Sequence, residues 1–240
     1  MQTLKQAAFY DITDIDEEFH FVKKRDFRLS EKDQWENNGI LDQLLNWSQN
    51  KTKPAFWVDG KSGNQDSWVT QMSKDLIEAF ETQEKVITFV FCGNGKDDSF
   101  PWETTPTTIL KRLILQILDI DPLLAFHNPE RLNARRLKKV QTFDQLWDLW
   151  EYLAKQVKDL FLVIDRIDKS LPDETVGISV DFLPKLLDST REIPGMSIIF
   201  TSSTRPATAI EEHEMLQTVC LDTGIPPRKR HERSTARDDH

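Results

Sequence analysis

Cysteine is scarce: the 240 residues hold only Cys92 and Cys220. A disulfide framework needs more cysteines in a shorter chain, so a reducing compartment is the expectation. Long apolar runs are missing too, and no stretch approaches the ~18–20 residues that span a bilayer. Residues 1–10 have no apolar run behind a basic start, so no signal peptide is expected and the location reads as cytoplasmic. Histidine gives no metal framework, because His20, His127, His213, His231 and His240 are scattered without zinc-ligand spacing. A serine nucleophile elbow is absent, since Gly60-Lys61-Ser62-Gly63 has the wrong order for it. Positive charge is also short. The net charge is −9 and the pI about 5.1, a field that repels nucleic acid and anionic membrane at long range. Other proteins, including a second copy of the chain, are the expected partners.

What is present is apolar and aromatic. Hydrophobic residues make up 38% of the chain, with seven Trp and fourteen Phe, enough to bury a core. Residues 1–38 are polar and charged and read as a loosely held, partly ordered arm. Ile40, Leu41, Leu44, Leu45 and Trp47 fall at helical spacing. A strand over 55–59 follows, then a turn at 60–65 and a helix over about 66–80. The run 86–92 is near-continuously apolar, as suits a strand buried on both faces. Helices are expected over about 107–118, over the basic stretch 131–140, and from Phe143 to about 158. A third strand over 160–164 ends at Asp165. A short helix over 182–190, a fourth strand over 196–201 and an edge strand over 218–221 complete the order. Beyond 222 the chain is basic and polar. It reads as a disordered tail, in which Arg228, Lys229 and Arg230 leave a nuclear address open.

Strands alternating with helices in this way predict an α/β three-layer sandwich: a mostly parallel sheet of about five strands with helices on both faces. Ligands of such sheets bind beyond the carboxyl ends of the strands, which gathers the Gly60 turn, Asp165 and residues 201–205 along one edge.

The turn after the first strand is close to a phosphate-binding loop, G-x-x-x-x-G-K-[ST], whose backbone N–H groups wrap phosphate while the Lys and the hydroxyl serve phosphate and Mg²⁺. In Gly60-Lys61-Ser62-Gly63-Asn64-Gln65-Asp66-Ser67 the first glycine and the final hydroxyl are present. Gln65 replaces the second glycine and Asp66 the lysine. A unit-charge pair at ~4 Å is worth ~4 kcal/mol at an effective dielectric near 20, so Asp66 turns an attraction into a repulsion. After the third strand, Asp165-Arg166-Ile167-Asp168-Lys169 resembles a Walker B segment, a likeness that implies metal-holding carboxylates at Asp165 and Asp168. By that resemblance Lys169 stands where the segment's base would be, and a cation cannot act as a base in phosphoryl transfer.

Phe56-Trp57-Val58-Asp59-Gly60-Lys61-Ser62-Gly63 resembles the start of the NACHT-type P-loop found in many fungal STAND proteins and in nephrocystin-like proteins. The 160–169 segment is similar to that family's Walker B, and Ser197–Pro206 to its sensor strand. The resemblance covers roughly 40–222, making 39–222 a degenerate NACHT-like P-loop domain without the family's downstream modules. It implies a nucleotide-binding loop at Gly60, Lys61, Gly63, Asp66 and Ser67, metal-holding carboxylates at Asp165 and Asp168, and a sensor-like Arg205. It also implies ATP or ADP with Mg²⁺ as the ancestral ligand, although the sequence itself fixes no cofactor. With Asp66 and Lys169 both altered, a signalling or scaffold module without hydrolysis, a pseudo-NTPase, is the leading expectation. Two alternatives stay open: a weak or active ATPase working through Lys61 and Asp165, and a truncated, inert relic of a larger STAND protein.

Overall fold

The computed structural model describes residues 15–24, 39–49, 53–60, 68–93, 102–170 and 179–220. Helix α1 spans Ile15–Lys24 and α2 Ile40–Gln49. Strand β1, Ala55–Asp59, leads to α3, Trp68–Thr82, and β2, Ile87–Phe91. Four helices follow: α4, Pro106–Ile120, α5, Leu123–His127, α6, Ala134–Leu137, and α7, Phe143–Ala154. Strand β3, Phe161–Asp165, precedes α8, Ser179–Glu192, and β4, Ser197–Ser202. Helix α9, Thr208–Glu211, and β5, Leu216–Cys220, close the described chain.

The five strands form one sheet in the order β2-β3-β4-β1-β5, and every pairing is parallel. Strand side chains alternate between faces. Phe56, Val58, Val163, Ile199 and Phe91 pack with α1, α2 and α3 on one side. Trp57, Leu162, Ile164, Ile198 and Phe200 pack with α4, α7 and α8 on the other. The result is the expected three-layer sandwich. In the pairing register Asp59 lies opposite Ser202 and Phe91 opposite Asp165, so the carboxyl ends of β1, β3 and β4 share one rim.

Several local features refine the sequence reading or depart from it. Within the arm, expected to be partly ordered, residues 15–24 form a docked helix. Here α1 buries Phe19 and Val22, and Phe19 sits 4.8 Å from the Phe89 ring. Its Glu18 Oε1 accepts from Arg112 Nη2 at 2.6 Å and Nε at 3.1 Å, both side chains being buried. The basic stretch 131–140 is not one helix: only Ala134–Leu137 is helical. Asn133 Nδ2 donates to Pro129 O, and Asn133 Oδ1 accepts from Arg136 N. A side chain that bonds its own backbone in this way competes with helix propagation. Finally, α7 stops at Ala154, short of the expected 158, and α5 forms where only turn punctuation was read.

Strand β2 is an edge of the sheet, and α4 covers part of it. Gln116 Oε1 accepts from Phe89 N at 2.9 Å and its Nε2 donates to Phe89 O at 2.7 Å. One amide side chain thereby stands in for a missing neighbour strand. The expected basic tail, including Arg228, Lys229 and Arg230, lies outside the described residues. Among the described residues no helix is long and apolar enough to cross a membrane.

Candidate functional site at the sheet rim

The rim is built where β1 turns into α3. Gly60 N donates to Ser202 O at 2.9 Å, tying this turn to β4. A Cβ on Gly60 would lie 2.1 Å from Val69 Cγ1 and 2.7 Å from Trp68 Cζ2, so only glycine fits against the first turn of α3. Trp57, on β1, donates its indole N–H to Ser202 Oγ at 2.8 Å in the interior. Lys61, Gly63, Asp66 and Ser67, the remainder of the expected loop, lie outside the described residues.

Asp165 ends β3 with no solvent exposure. Its Oδ1 accepts from Ser73 Oγ at 2.8 Å and from Thr201 Oγ1 at 2.5 Å. Its Oδ2 accepts from Thr70 Oγ1 at 2.8 Å. Thr70 and Ser73 are three apart on α3 and so face the sheet together. Burial pushes the Asp165 carboxyl above its usual range, while the hydrogen bonds from Thr201, Thr70 and Ser73 pull the other way. The next residue, Arg166, takes a left-handed backbone with φ of 53°, a conformation that costs a non-glycine residue about 1–2 kcal/mol. Its N–H donates to Thr201 Oγ1 at 3.0 Å, so Thr201 both receives this bond and passes its own proton toward Asp165.

That kink starts a short 3-10 turn over Ile167–Lys169. It brings Asp168 to the end of β4, where Oδ1 accepts from Ser203 N at 3.1 Å and Oδ2 from Ser203 Oγ at 2.5 Å. Arg205, the sensor-like residue of the sequence reading, donates from Nε and Nη2 to Glu211 Oε1 on the exposed surface. Burial, with Asp165 adding to it, pushes the Cys92 thiol well above its ordinary value, which argues against a nucleophilic role.

A Mg²⁺ site needs carboxylate oxygens facing an open space. Asp165 instead has three hydroxyl donors on a carboxylate with about four acceptor positions, and no exposure. Asp168 is occupied by Ser203. Among the described residues, no group of three or more His, Cys, Asp or Glu side chains could hold a metal ion. Among the described residues, Asp165 and Asp168 therefore do not present an open site for the ion.

Sequence reasoning located Asp165 and Asp168, and the structure brings both to the rim with Gly60. It missed Thr70, Ser73 and Thr201 as partners. The available signal was the i, i+3 spacing of two hydroxyls just after the turn, in register with a hydroxyl ending the fourth strand.

Strand order, the glycine turn after β1 and the carboxylate ending β3 are those of a P-loop-type α/β fold. The family profile described as nephrocystin 3, N-terminal, matches residues 40–203, and the chain belongs to that family. Among solved structures, a Walker-type ATPase of Pyrococcus abyssi is similar at a TM-score of 0.40 and 14% identity, over 76% of this chain. The match spans about half that protein's length, 49%. A comparison with curated proteins gives no significant match.

Proposed function

We propose that residues 39–222 are a degenerate nucleotide-binding module that does not hydrolyse NTP and acts as a signalling or scaffold protein through protein contacts. The observation that carries this reading is the Asp165 carboxylate, buried and held by the hydroxyls of Thr70, Ser73 and Thr201. A carboxylate satisfied from within the fold has no need of a metal ion. Two sequence positions agree with it: Asp66 in place of the phosphate-binding lysine and Lys169 in place of the base. Without Mg²⁺ to neutralise developing charge and without a base to orient water, phosphoryl transfer loses its two main sources of rate.

The test is a calorimetric titration with Mg-ATP and Mg-ADP, with melting temperature followed in parallel and Asp66→Lys as a comparison. A ligand at 100 times its dissociation constant adds about 2.7 kcal/mol of stability. No heat and no melting shift for the wild type, with binding gained in Asp66→Lys, is the expected result. Micromolar binding or ATP turnover by the wild type would sink the reading and favour an ATPase that works through Lys61 and Asp165. A chain that fails to unfold cooperatively would favour the inert relic.

A further inference from the structure

Outside the rim, the strongest unexplained feature is a groove of about 530 Å³ between α7 and the basic stretch 131–140. Arg131, Arg136 and Lys139 form its cationic wall, while Tyr152 and Leu149 supply an apolar floor. The neighbouring sequence adds Arg135 and Lys138, and Glu130 is the sole carboxylate in 128–140. Among the described residues none of these five cations makes an ion pair, which is unusual on a chain of net charge −9.

The groove is also pre-shaped. Tyr152 Oη donates to Asn128 Oδ1 at 2.5 Å, which fixes the ring. The Arg131 guanidinium lies 4.5 Å over that ring, so its planar fork is held before anything binds. A guanidinium held in place loses less freedom on taking a carboxylate.

We propose that this groove is a docking site for a short acidic peptide segment of a partner protein, one that carries an apolar side chain between carboxylates. Carboxylates pair with Arg131, Arg136 and Lys139, and the apolar side chain lies against Tyr152 and Leu149. Charge complementarity favours a peptide over an extended polyanion. A few residues within a Debye length of about 8–10 Å feel the groove, whereas a long nucleic acid also feels the acidic remainder of the molecule. Asp148 also lines the groove; it repels carboxylate and phosphate alike, so the peptide's carboxylates lie toward Arg131, Arg136 and Lys139, while Asp148 can accept a peptide N–H. None of the lining residues belongs to the rim at Asp165, so the inference stands whether or not nucleotide binds there.

The experiment is fluorescence anisotropy on the full chain with a fluorescein-labelled Glu-Glu-Leu-Phe-Glu-Glu peptide, at low and high salt. Single-stranded oligo-dT and phosphatidylserine vesicles serve as competing probes. The variant is Arg136→Glu with Lys139→Glu, both exposed in the wild type, and melting temperature checks that it folds. Arg131→Gln is a second, milder variant. Saturable peptide binding that weakens with salt, and that falls at least ~10-fold in the double variant at unchanged melting temperature, is expected. No saturable peptide binding, binding unchanged by both variants, or tighter binding of oligo-dT or vesicles through the same residues would overturn the proposal.

Discussion

Replacing Asp165 tests the rim most directly, because two substitutions separate its shape from its charge. Asp165→Ala leaves the Thr70, Ser73 and Thr201 hydroxyls in the interior without their acceptor. Each unsatisfied buried group costs about 1–3 kcal/mol. Three coupled hydroxyls that can partly turn to other acceptors should therefore cost about 3–6 kcal/mol together. That is a large part of the ~5–15 kcal/mol that holds a domain folded. Asp165→Asn keeps the shape. Its carbonyl oxygen can still accept from Ser73 and Thr201, and its amide can donate to Thr70, so the expected cost at neutral pH is below about 1 kcal/mol. The pH dependence has a definite sign. The folded carboxyl titrates above its unfolded value, so the native state binds the proton more tightly. Its contribution to stability is complete below the unfolded pKa and is lost as pH rises through the folded one. The wild type minus Asp165→Asn difference in stability should therefore fall as pH rises from acid toward neutral. Urea unfolding followed by tryptophan fluorescence across that range measures it. An Asp165→Asn variant as damaged as Asp165→Ala, or a difference that rises with pH, would refute the reasoning and point to a cation at the carboxylate.

Arg112→Met alone removes the buried guanidinium that pairs with Glu18 and should cost about 3–5 kcal/mol, while the double change with Glu18→Leu should recover most of it in the same urea assay. Gly60→Ala pushes a methyl into Val69 and Trp68, and a loss of about 1–3 kcal/mol is expected; an unchanged melting temperature would show that the turn can move aside. Gln116→Ala uncovers the N–H and C=O of Phe89 on edge strand β2, so light scattering at rising concentration should detect self-association that the wild type lacks.

The sheet was legible because β1, β2, β3 and β4 are covered on both faces, and such strands read as short continuous apolar runs. Strand β5 was found but begins two residues earlier than expected, at Leu216, since an edge strand carries Gln217 and Thr218 within it. Helix α1 was hidden by its acidic setting. Glu18 faces inward, and the partner that makes this tolerable, Arg112, is distant in sequence and on another helix. The 131–140 stretch misled in the opposite direction: its Arg, Lys and Leu residues favour a helix, while Pro129 and the Asn133 side chain hold the first turns in another conformation. At the rim, a strand ending in Asp was enough to place Asp165. Its partners were not legible, because Thr70 and Ser73 matter only once the facing side of α3 is known.

The hydroxyl cage also links two measurements that would otherwise be separate. Thr70, Ser73 and Thr201 stabilise the carboxyl with neutral dipoles, so the local charge at Asp165 does not depend on a bound cation. For Mg²⁺ to bind through Asp165, the ion would have to reach the one acceptor position left on a carboxylate without solvent exposure, or displace a hydroxyl from it, and either cost opposes binding. Tolerance of Asp165→Asn and indifference to Mg-ATP are then consequences of one arrangement and should occur together. If Asp165→Asn is tolerated yet Mg-ATP still binds, the nucleotide must be held by other groups, and Lys61→Ala becomes the substitution that decides between them.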